Sequence, residues 1–240
     1  MTGAAVFDLD GTLADTPCVI KRLLVRVCAE HGRRVPPERA ALTIGIPLET
    51  AFGHLLGLPP QDPEVCRAVR RYRVLFEEDV LGAGAWLVHA GVPEGLERLR
   101  AAGVPLAVAT SKVSRSAHAL LEVTGLAHHF PVVVGHDMVT RGKPDPESGL
   151  LAARLLGVPA HTCAYVGDTA TDLRMARAAG MRPVAVTYGV GSRADLAALA
   201  DGAVYDDFAD VVDTLLSPYG PYRPPARVRV PERAGEQALA

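Results

Sequence analysis

Short apolar runs alternate with segments of helical periodicity along most of the chain. The runs at 104–109, 162–166 and 183–187 end in polar residues or glycine, a pattern typical of buried strands. The segments between such runs place apolar residues at helical spacing, and several end in a glycine, which commonly stops a helix. Strands joined by single helices predict right-handed crossovers and a parallel, doubly wound α/β sheet.

This pattern predicts five strands and six helices in the part of the chain that carries the sheet. The first strand precedes Gly11, and the other expected strands cover 104–109, 132–134, 162–166 and 183–187. The expected helices cover 93–102, 114–124, 146–156, 170–179, 193–200 and 207–216.

Residues 16–82 follow a different pattern. Segments 18–31 and 65–80 carry apolar residues at helical spacing, and two proline pairs interrupt the region. No clear alternating strand pattern occurs there. We therefore predict a small all-helical unit at 16–82, inserted into a core formed by 1–15 and 83–216.

Composition narrows the class of protein. The 240 residues are 49% hydrophobic and 22% charged, with a net charge of −2, so nothing favours nucleic acid or a membrane as partner. The four cysteines form no CxxC pair, and we expect them to be reduced in a cytoplasmic protein. Segment 217–240 is rich in proline and arginine. We expect it to be a poorly ordered extension or an arm that could contribute to a homodimer; a monomer is equally open.

Two carboxylates, Asp8 and Asp10, follow the first apolar run. Period-2 geometry places both on the same side of the backbone, at the strand end where parallel sheets bind ligands. Two such charges repel by about 4 kcal/mol at about 4 Å and an effective dielectric near 20, so they require a cation, a shared proton or both. An Asp-x-Asp-Gly stretch is also ordinary turn chemistry, and taken alone it leaves both interpretations open.

Three later strand ends carry further candidate chemistry. Thr110 and Ser111 offer hydroxyl and backbone donors to an anion, and Lys143 stands between glycine and proline, where it could deliver a positive charge. Asp168 and Asp172 supply hard oxygen ligands suited to Mg²⁺. Each has a structural alternative, because serine, threonine and aspartate also cap helices and a lysine is usually solvated. Lys112 and Arg141 are given only solvated or supporting roles.

Taken in order, segments 7–16, 109–111, 142–147 and 167–172 resemble the four motifs of the haloacid dehalogenase superfamily. The resemblance spans about residues 5–190. It implies a Rossmann-like core and a helical cap domain at 16–82.

The resemblance also implies roles for individual residues. Asp8 resembles the nucleophile that forms an aspartyl-phosphate, and Asp10 the general acid and base. Thr110 and the N–H of Ser111 would bind phosphoryl oxygens, while Lys143 would offset negative charge.

The same resemblance implies a Mg²⁺ cofactor. Asp8, Asp168 and the carbonyl of Asp10 would hold the ion, with Asp172 in support. The ion and a lysine allow a phosphate dianion to enter a ring of acids.

The phosphoglycolate phosphatase-like branch is the most similar, through 44–48, 72–73 and 188–191. It implies a Mg²⁺-dependent phosphatase acting on a small phosphorylated metabolite, either phosphoglycolate-like or sugar-phosphate-like. The alternatives are a β-phosphoglucomutase-like phosphomutase, which commonly has valine in place of Thr12, and a non-catalytic scaffold or regulator.

The helical unit holds the candidates for substrate selection. Gly45 would shape a loop over the site, and Arg73, with Arg70 and Arg71, could bind an anionic leaving group. Solvation of a helix face explains these arginines equally well. We expect Trp86 to pack rather than to contact substrate.

Overall fold

The computed structural model describes residues 3–81 and 84–217, and within them six parallel strands form one sheet. The strands are β1 (Ala4–Phe7), β2 (Leu106–Ala109), β3 (Val132–Val134), β4 (Cys163–Gly167), β5 (Arg182–Val186) and β6 (Val204–Tyr205). Their order across the sheet is β3-β2-β1-β4-β5-β6. The order reverses between β1 and β4, and in open α/β sheets ligands bind at the carboxyl side of such a switch point.

Ten α-helices accompany the sheet in the described residues. They are α1 (Pro17–Glu30), α2 (Pro37–Ala41), α3 (Leu48–Leu56), α4 (Pro63–Leu81), α5 (Val92–Ala101), α6 (Ser114–Val123), α7 (Glu147–Leu155), α8 (Ala170–Ala178), α9 (Arg193–Ala197) and α10 (Phe208–Leu216). None of the helices in this part of the chain combines the length and apolar character needed to cross a bilayer.

Both faces of the sheet are covered, as a parallel sheet requires. Alternate residues of β1 enter different cores: Phe7 packs against the rings of Phe130 and Phe208, while Val6 shares the opposite core with Tyr165. This burial holds β1 rigidly in the middle of the sheet. The predicted doubly wound α/β sheet is confirmed.

Helices α1 to α4 follow one another between β1 and β2 and are called the cap helices below. α1 and α3 both pack against α4. Apolar side chains such as Leu24 on α1 and Val69 on α4 are buried between them, in agreement with the helical spacing of the sequence. The division into core and cap domains at 16 and 82 stays a prediction.

Three expectations differ from the structure or lie outside it. Strand β6 was not expected, because its two residues are too few to show a periodicity. The Trp86 side chain is 93% exposed, so the expectation that it packs is wrong. The tail at 217–240 lies outside the described residues except for Ser217.

Candidate active site

The strand ends singled out in the sequence meet at one edge of the sheet. Asp8 directly follows β1, Thr110 follows β2 and Asp168 follows β4, and all three side chains are buried. β1 pairs with both β2 and β4, so the three residues extend from adjacent strands. The sheet therefore brings together residues that are far apart in the sequence.

Lys143 connects two of the acids in this buried site. Its Nζ lies 2.8 Å from Asp8 Oδ1 and 2.7 Å from Asp172 Oδ1. Burial disfavours the charge of Lys143, but the carboxylates of Asp172 and Asp8 outweigh it, so the pKa of Lys143 is raised above its usual value. The lysine therefore stays charged at neutral pH.

Asp172 supports the site rather than facing a ligand. Its Oδ1 contacts Lys143 and, at 3.3 Å, the hydroxyl of Tyr165. Its Oδ2 accepts hydrogen bonds from the backbone N–H and the hydroxyl of Thr169, at 3.0 and 2.6 Å, which caps the start of α8. With both oxygens occupied, Asp172 fixes the position of Lys143.

Burial disfavours the negative charge of Asp8 and Asp168, and the protein supplies only part of the positive charge needed to balance it. Burial raises the pKa of Asp8 to about 7. The positive charge of Lys143 lowers this pKa, and the negative charge of Asp172 raises it further. Burial also raises the pKa of Asp168 well above its usual range, with the charges of Asp172 and Asp8 adding to the effect. Within 3–81 and 84–217, Asp168 has no cationic partner; it accepts hydrogen bonds from Thr12 Oγ1 and the N–H of Val190, both at 2.9 Å.

This donor set fits a divalent cation. One oxygen from each of Asp8, Asp168 and Asp172 lies within 4.8 Å of the others. Carboxylate oxygens are hard ligands of the kind that Mg²⁺ prefers, and a divalent ion would balance the excess negative charge. Asp8 Oδ2 has no hydrogen-bond partner in the described chain, so it is available to such an ion or to a substrate.

Two glycines allow the backbone to approach Asp168 closely. Gly11 has a φ of +84°, and a Cβ at Gly11 or Gly189 would collide with Asp168 Oδ2. Gly189 precedes Val190, whose N–H holds the same oxygen. Glycine at these two positions therefore leaves space for the carboxylate of Asp168.

Asp10 is held between the sheet edge and the cap helices. Thr16, which precedes α1, donates a hydrogen bond of 2.6 Å to Asp10 Oδ1, and Lys112 Nζ lies 3.2 Å from Asp10 Oδ2. Lys112 also lies over the ring of Phe76 on α4, 4.1 Å from its centroid. Sequence reasoning gave Lys112 only a solvated or supporting role, although its place directly after Thr110 and Ser111 was a signal.

The predicted phosphate-binding residues line the space in front of Asp8. The Thr110 backbone N–H donates to the carbonyl of Val134, and its hydroxyl oxygen accepts a 3.2 Å bond from the N–H of Lys112. The Ser111 hydroxyl donates to the carbonyl of Gly45 at 2.8 Å. This bond joins the loop before α3 to the end of β2.

Two clefts separate the cap helices from the sheet edge. The inner cleft has an empty volume of about 500 Å³ and is lined by Asp8, Asp10 and Thr110, with Thr43–Ile46 opposite. The outer cleft has an empty volume of about 560 Å³ and lies between α4 and α6. Four residues line both clefts: Leu48, Tyr72, Ser111 and Lys112.

Only some of the residues predicted to select the substrate line a cleft. Gly45, with a φ of +92°, lines the inner cleft. Arg73 lines the outer cleft, where its guanidinium pairs with Glu49 at 3.0 Å. Arg71 instead pairs with Glu30 at 2.8 Å, and neither Arg71 nor the exposed Arg70 lines either cleft.

Comparison with known proteins places the chain in a family. Over 213 residues the chain is 47% identical to the probable phosphatase IndB of Dickeya dadantii, covering 88% of this chain and 93% of that protein. It is 32% identical to a phosphoglycolate phosphatase of Salmonella typhi, covering 89% of this chain and 92% of that one. A haloacid dehalogenase-like hydrolase from Bacteroides fragilis shares the fold, with a TM-score of 0.80, 23% identity and coverage of 88% and 100%. The haloacid dehalogenase-like hydrolase model matches residues 5–186, and the chain therefore belongs to that family.

Proposed function

We propose that this protein is a Mg²⁺-dependent phosphatase that hydrolyses a small phosphorylated metabolite through an aspartyl-phosphate on Asp8. The family and the curated relatives confirm the prediction of a phosphoric monoester hydrolase. The observation that carries the mechanism is the buried Asp8, tied to Lys143 through one oxygen and facing the inner cleft beside Asp10.

Asp8 is the proposed nucleophile. Lys143 holds Asp8 Oδ1, so Oδ2 is the oxygen that attacks phosphorus, forming a P–O bond as the ester P–O bond breaks. The positive charge of Lys143 stabilises the negative charge that develops on the phosphoryl oxygens. Thr110 and the backbone of Ser111 are proposed to bind those oxygens from the other side of the inner cleft.

Asp10 is the proposed general acid and base. In the first step it donates a proton to the leaving alcohol oxygen, and in the second it takes a proton from the water that attacks the phosphorylated Asp8. Thr16 and Lys112 hold its two carboxylate oxygens, which fixes the direction of the carboxyl group. Fixed orientation of this kind lowers the entropy lost on reaching the transition state.

The proposed Mg²⁺ ligands are the side chains of Asp8 and Asp168 and the carbonyl of Asp10. The ion would neutralise phosphate charge and orient the group for attack. Asp172 would act through Lys143, since both of its carboxylate oxygens already accept hydrogen bonds. Asp168 has no cationic partner in the described residues, which supports this assignment.

The phosphomutase and the scaffold have less support. The Thr12 side chain, where such mutases commonly have valine, donates a hydrogen bond to Asp168. A scaffold without catalysis has no need of the intact set of Asp8, Asp10, Lys143 and Asp168. We propose a monomer or homodimer with no nucleic acid or membrane partner.

Phosphate release from a panel of phosphate esters tests the proposed function. We expect inorganic phosphate to appear with Mg²⁺ and to stop when EDTA is added. Acid quenching during turnover should trap phosphate on Asp8, located by peptide mass spectrometry, and Asp8→Asn should remove that label. Full activity in EDTA would overturn the metal assignment, and a label on another residue would overturn the nucleophile.

A further inference from the structure

The hydroxyl of Tyr72 is buried in the wall between the two clefts without a hydrogen-bond partner. The residue is 2% exposed, and its Oη meets no donor or acceptor in the described residues. The ring is fixed at 5.8 Å from Phe76, stacked, and at 5.9 Å from Phe52, edge-on. An unsatisfied buried hydroxyl is unfavourable and rare in folded proteins. A ligand oxygen in the cleft would satisfy it.

Tyr72 offers a donor close to the proposed acid and base. Burial raises the pKa of Tyr72 well above its usual value, and the negative charge of Asp10 adds to the shift. The side chain is therefore a neutral phenol at physiological pH. Tyr72 lines both clefts, whereas Asp8 lines the inner one. When the phosphate of a substrate lies against Asp8, Tyr72 is therefore next to the alcohol part of that substrate.

The cations that line the two clefts are already paired. Lys112 contacts Asp10, Arg73 contacts Glu49, and Glu77 adds a further negative charge to the outer cleft. A carboxylate on the leaving group would have to break one of these pairs or stay uncompensated. Both are unfavourable in a partly buried site. Among the described residues, the clefts therefore offer no unpaired cation to the carboxylate of an acidic leaving group such as glycolate.

The outer cleft offers apolar surface to a larger group. It continues from the inner cleft past Tyr72 and Lys112, and its remaining wall includes apolar side chains such as Phe76, Val80 and Leu120. Sites with apolar walls and a few polar groups suit small organic molecules. The Arg73 Nε–H, buried and without a partner among the described residues, is a second donor there.

We propose, building on the phosphatase function above, that the substrate is the monophosphate of a neutral, hydroxyl-bearing alcohol that extends from the inner into the outer cleft. Tyr72 donates a hydrogen bond to a hydroxyl or carbonyl oxygen of that alcohol and so selects it. The glycolate ester is then a poor substrate.

The first test compares initial rates of phosphate release from neutral and acidic esters. Ribose 5-phosphate and glucose 6-phosphate represent neutral alcohols, and phosphoglycolate and 3-phosphoglycerate represent acidic ones. We expect kcat/KM to be at least about 10-fold higher for the better neutral ester, the effect of one good polar contact. A higher kcat/KM for phosphoglycolate would overturn the inference but leave the phosphatase intact. Release from no ester would instead overturn the proposed function.

The second test removes the Tyr72 hydroxyl. Tyr72→Phe should lower kcat/KM about 10-fold for the preferred neutral ester, mainly through KM, and leave phenyl phosphate, whose leaving group carries no further hydroxyl or carbonyl, unchanged. Tyr205→Phe is the matched control, since Tyr205 bonds Thr214 and lies outside both clefts. An equal loss for both substrates would show a structural role and overturn the assignment.

The third test frees a cation. Glu49→Gln removes the acid paired with Arg73, and Glu49 is partly exposed at the start of α3, so the fold should tolerate the change. We expect the ratio of kcat/KM for phosphoglycolate over ribose 5-phosphate to rise about 10-fold. An unchanged or lower ratio would contradict the argument from paired charges.

Discussion

The two ends of the proposed site are constructed differently. At the sheet edge, Asp8, Lys143 and Asp172 are buried and joined by ion pairs of 2.8 and 2.7 Å. In the outer cleft, the side chains of Arg73 and Glu49 are 37% and 39% exposed, and Tyr72 Oη and Arg73 Nε have no partner in the part of the chain that the structure describes. Charges interact more strongly away from water. The phosphoryl end is therefore fixed by the fold, while the leaving-group end can adjust to a ligand.

The largest effect should come from Asp8→Asn at the phosphoryl end. The amide cannot attack phosphorus, so kcat should fall by at least about 10³-fold while the protein remains folded. Phosphate release gives the rate, and thermal unfolding gives the stability. A variant that keeps its rate would show that another group is the nucleophile.

Lys143→Met should destabilise the protein strongly. It leaves two buried carboxylates without their cation, which typically costs about 3–5 kcal/mol. Urea unfolding in EDTA measures the loss of free energy of unfolding. Lys21→Met on α1 is the control, because Lys21 has no ion-pair partner within the described ranges, and its change should stay below about 1 kcal/mol. Equal losses for the two variants would contradict the contrast between buried and exposed charge.

The metal-free protein should become less stable as the pH rises. The pKa of Asp8 is raised from 3.8 to about 7 by burial, so the folded state retains a proton that the unfolded chain has already released. The contribution of Asp8 to the free energy of unfolding is therefore fully present below pH 4 and is lost as the pH rises through 7. Between pH 5.5 and 7 the loss should be about 2 kcal/mol.

Unfolding in EDTA across this pH range measures the effect. Asp8→Asn should show a smaller pH dependence than the wild type. Mg²⁺ should reduce the loss, because it binds the deprotonated carboxylates. A metal-free protein that gains stability between pH 5.5 and 7 would contradict the raised pKa.

These predictions separate what the sequence could specify from what it could not. Asp8, Thr110 and Asp168 were predicted to meet because each follows an apolar run that forms a strand, and strand ends share an edge in a parallel sheet. The contact between Lys112 and Asp10 depends on how a flexible side chain lies in space, which no periodicity encodes. The same holds for the pairing of Arg73 with Glu49 and of Arg71 with Glu30.

A smaller effect is expected where the two ends of the site meet. Thr16→Val removes the hydroxyl that holds Asp10 Oδ1 and keeps the shape of the side chain. We expect kcat to fall about 10-fold, with KM little changed, because orientation and not substrate contact is lost. Thr162→Val, which removes a buried hydroxyl bonded to the carbonyl of Pro159 and lies outside both clefts, is the control for a general effect of losing a hydroxyl. A fall in kcat shared by both variants would contradict the specific role of Thr16.

The smallest effect should come from Arg71→Met. The pair with Glu30 is solvent-exposed and lies outside both clefts, so its loss should shift Tm by no more than about 2 °C. The selectivity between neutral and acidic esters should not change. Steady-state kinetics with ribose 5-phosphate and phosphoglycolate checks this, and altered selectivity would return Arg71 to the candidates for leaving-group binding.

The hydrogen bond from Thr16 to Asp10 limits how the cap helices can be exchanged. Thr16 ends the connection from β1 and immediately precedes α1, so the first turn of the cap helices orients Asp10, the proposed general acid and base. The positions that select the alcohol lie far along the same segment, around Tyr72. A graft that takes a new α3 and α4 but keeps this first turn would change the substrate and preserve the chemistry. Replacement of the whole segment would change the substrate and also remove the hydrogen bond that orients Asp10.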